Sequence, residues 1–427
     1  MNSIKLAAAA VGVLALTATL VVGAQGKTVV RIMTWEGQDT NDQIAAAMKP
    51  FEAKNPDITV EIVKVPGVGF DQTRNTMIAA NQLPDLFWVG NDQLLEFGRK
   101  GILYDWTKQA TAKGDDFVLE SFAPGAIANY TLDGKLYGLP SLMNTYGYFY
   151  NADMFTAAGL PLPKVGWTYA QFFNAARRLT TKSGNQVTRY GVYNPMNDLF
   201  FLSQYAASQG GPMLQDRILE ATKVTVSPQL VTAARNWAGA IQNGSVTPRT
   251  YPGDGLDKLF AAGKVPMLGS GQWLAKGFIE GKLPFKWGFA PLPTGVKQVT
   301  IYDAVGIASP SYIKNPDAVW KVMKYLNTKA WETVLPQSPV APSAYVPSAK
   351  PYFDHLRKSG AASVAESVNA MLTMKDKEGV RFLSSWSGKA ADVLNVSYND
   401  ILSGKVDAKT GLDAIAAKVN EIIKTSK

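Results

Sequence analysis

The sequence predicts an α/β protein of two lobes, each a mainly parallel sheet flanked by helices. Three observations predict it. From residue 28 onward, β-branched strands alternate with amphipathic helices, the pattern of right-handed βαβ crossovers. The middle of the chain, Asp133–Asn151 (DGKLYGLPSLMNTYGYFYN), holds two apolar runs split by Asn144-Thr145, as two short strands passing from one lobe to the other. No low-complexity linker divides the 427 residues, so the strands themselves must join the lobes.

Thr28–Trp35 is β-branched and reads as a first strand. Asp39–Asn55 follows as a helix with Ile44, Met48 and Phe51 at helical spacing, and Pro50 inside it should kink or shorten it. Ile58–Val65 is a second strand, Thr73–Asn81 a helix, and Pro84–Val89 a short buried strand. Asn91–Arg99 is helical, with Gly101 suited to its C-terminal cap. In the central stretch, Asp133-Gly134 is a turn signal and Pro140 must close or edge a strand. Thr168-x-x-Gln171 is a capping box opening a helix with Phe172, Ala175, Ala176 and Leu179 on one face. Asp198–Gln209, Pro228–Asn243 and Thr410–Lys424 read as further helices, and Asn315-Pro316 starts another.

Composition narrows the function. At 46% apolar and 18% charged the chain is globular. Its formal charge is +9, but Lys and Arg are scattered, with no run longer than a pair such as Arg177-Arg178, which argues against nucleic acid. There is no cysteine, which excludes disulfides, thiolate metal sites, a cysteine nucleophile and a lipid-bearing cysteine. With His355 the only histidine, a Ser-His triad or multi-histidine metal site is not expected. No P-loop, dinucleotide fingerprint, HExxH or EF-hand loop is present, so no cofactor, metal or catalytic residue is assigned. Residues 1–26 read as a secretory signal: Lys5, then apolar Leu6–Gly23, then small residues at Ala24 and Gly26 for cleavage. An uncleaved anchor is the alternative. Either way the folded part lies in the periplasm or outside the cell.

What remains is a set of aromatic and polar residues near strand ends, where ligands bind in open α/β sheets. Trp35, Glu36 and Gln38 follow the first strand; Trp88, Asn91 and Asp92 belong to or follow the third; Asn144 and Tyr146 lie in the central stretch. Asn197, Trp273, Tyr302, Asp303 and Trp386 come later. Rings can cover the apolar faces of a sugar, and carboxylates and amides accept from its hydroxyls. Each has a plainer reading: Trp88 equally suits a core, and Glu36 and Asp92 suit helix starts.

Several segments, in order, resemble the bacterial extracellular solute-binding proteins that feed ABC importers, in the sugar-binding, maltose-binding-protein-like family. They are Asp133–Pro140 (DGKLYGLP), Tyr150-Asn151, Ala158–Pro161 with Gly166-Trp167-Thr168, the run from Leu83 to Trp106, Leu259–Met267 with Gly271-Gln272-Trp273, and Trp287–Pro293. The resemblance implies the type II periplasmic binding protein fold, with the ligand in the interlobe cleft and three interdomain crossings. These fall near Gly138–Leu142, Phe289–Pro291 and Pro342–Pro351. The N-terminal lobe is then 27–140 and 291–345, and the C-terminal lobe 141–290 and 346–427. Trp273 resembles the family's pocket tryptophan, and Trp386 lies where the family often puts another. Tyr302-Asp303 departs from the glycine pair common in sugar binders, which leaves the sugar open. The implied function is a monomeric, non-enzymatic binding protein. It closes by a hinge on a mono- or oligosaccharide and delivers it to ABC permease subunits. A binding protein for a non-sugar solute such as glycerol phosphate is the alternative, and would need a basic residue in the pocket. A glycoside hydrolase using Glu36 and Asp92 is a third reading.

Overall fold

In a computed structural model the described residues are 26–426, apart from 66, 68, 113–116, 197, 380 and 381. Residues 1–25 of the expected signal lie outside them. The strands that position the site are β1 (Thr28–Met33), β2 (Ile58–Val63), β3 (Leu86–Gly90), β4 (Gly138–Asn144), β5 (Tyr146–Asn151), β6 (Met267–Gly271), β7 (Trp287–Pro291), β8 (Val299–Ala308) and β9 (Asp376–Gly379).

β1 runs parallel to β2 and β3, with Thr28 opposite Ile58 and Ile32 opposite Leu86. The helices Gln38–Lys54 and Phe70–Ala80 connect them, as the alternation predicts. Pro50 does not shorten the first helix, which continues to Lys54 with Pro50 exposed, where water can satisfy the freed carbonyl. β3 is buried from Leu86 to Val89, the continuous apolar run of a strand covered on both faces. β8 then adds antiparallel to β3, and β4 antiparallel to β8, giving the order β2–β1–β3–β8–β4. The first half of β8 pairs instead with β9, in parallel.

The second sheet corrects the expectation of a mainly parallel lobe. β5 lies between β6 and β7 and is antiparallel to both, Met267 facing Tyr150 and Trp287 facing Asn151. β6, the helix Leu274–Glu280 and β7 do form a crossover between strands of the same direction. The strand arriving from the other lobe takes the slot between them. Strand–helix alternation reads the crossover but not the insertion.

β4 stays in the first sheet as far as Asn144, so the first crossing is Thr145, later than the expected Gly138–Leu142. β7 stays paired with β5 through Pro291, and β8 joins the first sheet at Asp303. Ser343 still bridges Leu142, while the helix Ala362–Thr373 sits on β7, where the Ser367 hydroxyl donates to the Phe289 carbonyl at 2.9 Å. One core surrounds Phe87, Trp88 and Trp331 and continues through Leu139 and Leu142 to Phe149, Phe260 and Phe278. A second holds Tyr148, Phe172, Trp237 and Ile415. The capping box is realised: Thr168 and Gln171 bond reciprocally at the start of Tyr169–Leu179.

Candidate functional site

A cleft of about 620 Å³ opens where β1, β3 and β4 end, lined by residues of both sheets. From the first lobe come Trp35 and Glu36, just past β1. Their turn is fixed by three bonds. The Thr34 hydroxyl donates to Asn41 Oδ1 at 2.6 Å, the Glu36 N–H donates to Thr34 Oγ1 at 3.1 Å, and Asn41 Nδ2 donates to the Glu36 carbonyl at 2.8 Å. Trp35 meets Phe70 edge-on at 5.3 Å and leans on Trp88 at 6.1 Å. Gly67 passes so close that a Cβ there would lie 2.9 Å from the Trp35 carbonyl oxygen, which explains the glycine.

The crossing strands supply the floor. Asn144 ends β4 opposite Asp303 on β8, and its Nδ2 donates to Asp303 Oδ2 at 3.1 Å. Across the crossing, the Tyr146 hydroxyl donates to the same oxygen at 2.7 Å. The crossing is clamped by Gln272, fully buried. Its Oε1 accepts from the Thr145 N–H at 2.8 Å and its Nε2 donates to the Met143 carbonyl at 3.2 Å.

Next to Gln272, Trp273 projects from the second lobe, 38% exposed, with its ring edge-on to Tyr146 at 5.6 Å. The ring lies over Gly271, where any Cβ would overlap it. Behind it, Lys276 reaches across to Asp39 on the first lobe and also binds Glu280 at 2.9 Å. Glu36 keeps some surface, yet its carboxyl sits deep enough among protein atoms that burial pushes its pKa from 4.5 up to about 7. Asp39 adds to the rise and Lys276 opposes it.

Of the residues singled out from sequence, Trp35, Glu36, Asn144, Tyr146, Trp273 and Asp303 line this one cleft. Trp88 does not: it is fully buried and stacks on Trp331, supporting Trp35 from behind. Trp386 is also core, 4.8 Å from Phe382. Gln38 points along its exposed helix to Asp42, and Asn91 is fully buried outside the lining. Asn197 and the side chains of Asp92 and Tyr302 lie outside the described residues. Sequence reasoning missed Phe70, Asp71 and the Val340-Ala341 pair, which line the cleft from a helix start and a loop. Gln93, in the polar run Asn91-Asp92-Gln93 that follows β3, also lines the cleft. Among the described residues, no group of His, Asp or Glu could hold a metal ion. No helix among them is long and apolar enough to cross a membrane.

The arrangement offers apolar ring faces from both lobes and oxygen acceptors between them. A family model described as bacterial extracellular solute-binding protein matches residues 36–333. A binding protein of Brucella abortus is 25% identical, with 88% of each chain covered. An sn-glycerol-3-phosphate-binding periplasmic protein of Brucella melitensis is 23% identical, with 95% of each covered. Among solved structures, an ABC substrate-binding protein from Listeria monocytogenes in complex with cycloalternan has a TM-score of 0.78 at 22% identity. That likeness covers 93% of this chain and 99% of that one.

Proposed function

The chain belongs to the bacterial extracellular solute-binding proteins, with their two-lobe type II periplasmic binding protein fold, and from that premise we propose that it binds a carbohydrate in the interlobe cleft. One observation carries the reading. Trp35 and Phe70 on one lobe and Tyr146 and Trp273 on the other face a single cleft that also holds Asn144, Glu36 and Asp303. Rings stack on the C–H faces of a sugar, and the oxygens accept from its hydroxyls.

Binding favours the closed arrangement because the ligand touches both lobes. Ion pairs that span them among the described residues include Lys276 with Asp39, and Arg99 with Glu220 at 3.5 Å. The loaded monomer then delivers the sugar to the permease subunits of an ABC importer outside the cytoplasm, after cleavage of the signal at 1–26. The Listeria relative was solved with cycloalternan, whereas the Brucella melitensis relative is named for sn-glycerol-3-phosphate. A phosphate calls for a cation in the pocket. No Lys, Arg or His lines the cleft among the described residues, which supports the sugar.

A thermal-shift screen of the mature protein against mono- and oligosaccharides tests this. Ligand at 100 times its dissociation constant stabilises the fold by about 2.7 kcal/mol. A shift with glycerol phosphate and with no saccharide overturns the proposal. So does release of reducing ends that depends on Glu36, which would make the protein a hydrolase.

A further inference from the structure

We propose that the bound saccharide carries a protonated amine and that its ammonium group pairs with Glu36. This rests on the carbohydrate reading above and names the class of sugar.

Three described carboxyl groups line the cleft, those of Glu36, Asp71 and Asp303, with no basic side chain among the described lining residues. The fold supplies partners for two of them. The buried guanidinium of Arg74 pairs with Asp71 at 3.0 Å. Tyr146 and Asn144 both donate to Asp303. Glu36 differs. Its backbone is held on both sides by Thr34 and Asn41, so its place is fixed, but among the described residues no hydrogen bond or ion pair reaches its carboxyl oxygens. The charged groups around it are Asp39 and Lys276, and Lys276 is already engaged by Asp39 and Glu280. The protein therefore fixes in its cleft one half-buried carboxyl that no described side chain engages, and leaves the partner to the ligand.

A sugar hydroxyl can donate a charge-assisted bond to the ionised carboxylate but leaves its charge uncompensated. An ammonium compensates the charge that burial penalises, and an anionic sugar meets like charge on every acidic wall. Binding also has a proton signature. Burial pushes the Glu36 carboxyl up to about 7, so a share of the molecules hold its proton near neutral pH. An arriving ammonium drives the carboxyl to its ionised form and releases that proton.

The test is calorimetry on matched pairs differing by amine against hydroxyl: glucosamine and glucose, galactosamine and galactose, and β-1,4-linked di-glucosamine and cellobiose. At pH 7 and low salt, on whichever scaffold binds, the amine member is expected to bind at least tenfold tighter. Titrations in two buffers of different ionisation heat should show a net proton release, which the parent sugar does not cause. In Glu36→Gln, shown folded by its melting curve, the ratio within each pair should fall to near one. Equal or weaker binding of the amine member by the wild-type protein overturns this inference while leaving the carbohydrate reading intact. Binding of no amine member of any pair overturns this inference, and glycerol phosphate bound with no saccharide overturns the carbohydrate reading as well.

Discussion

Truncating Trp273 to alanine should remove the main apolar platform of the second lobe. Trp273 is 38% exposed, and that exposed part is what a sugar can still cover. For a residue of about 250 Å² this is about 95 Å². At about 25 cal/mol per Å² its burial contributes about 2.4 kcal/mol, or about fiftyfold in affinity. Trp273 belongs to neither hydrophobic core, so the protein should remain folded, with only a modest fall in melting temperature from the packing lost over Gly271. The assay is calorimetric binding of the saccharide identified by thermal shift, with a melting curve of the same preparation. A variant that melts much earlier yet binds with unchanged affinity would show that Trp273 is a packing residue, and the argument from exposed area would fail.

Glu36 should make stability pH-dependent. The native carboxyl keeps its proton up to about 7 while the unfolded one loses it near 4.5, so the native state binds more protons between those values. Stability therefore falls as pH rises through that window, by up to about 3 kcal/mol. Melting curves of Glu36→Gln should gain on the wild type between pH 5 and pH 8; a constant difference refutes the shift. Gly147→Ala places a Cβ on the Ala290 carbonyl across β5 and β7, and should cost about 3 kcal/mol or more in urea unfolding. Gly239→Ala, in open space on the helix Pro228–Gln242, should instead gain about 0.5–1 kcal/mol. Lys276→Met removes an interlobe ion pair and should weaken ligand binding by about 1 kcal/mol or less at low salt. The gap from the wild type should close in high salt, and a gap independent of salt would mean that the lysine acts through packing.

Much of the first lobe could be read from residue spacing because its signals are local. The helix from Gln38 and the strands β1 to β3 each announce themselves within a dozen residues, and the Thr168–Gln171 cap within four. What escaped depends on partners far along the chain. Nothing within Tyr146–Asn151 says that its neighbours begin at Met267 and Trp287, so the antiparallel core of the second sheet was not legible. The same limit divides the tryptophans. Trp88 and Trp35 stand on one strand-end pattern, and only the stacking of Trp331 from residues far downstream makes the first core and leaves the second at the cleft.

Gln272 carries that argument furthest. In sequence it is a polar residue between Gly271 and the more conspicuous Trp273. In the structure it is fully buried, and its amide holds both sides of the crossing: the Thr145 N–H at 2.8 Å and the Met143 carbonyl at 3.2 Å. Its own N–H returns a bond to the Thr145 carbonyl. The loop that presents Trp273 is thus tied to the link between the sheets. A rotation about Thr145 that alters those bonds must move the tryptophan with it, because leaving a buried amide unpaired costs about 1–3 kcal/mol. In the proposed binding mode, stacking on Trp273 and movement of the lobes are coupled through Gln272, which does not itself line the cleft.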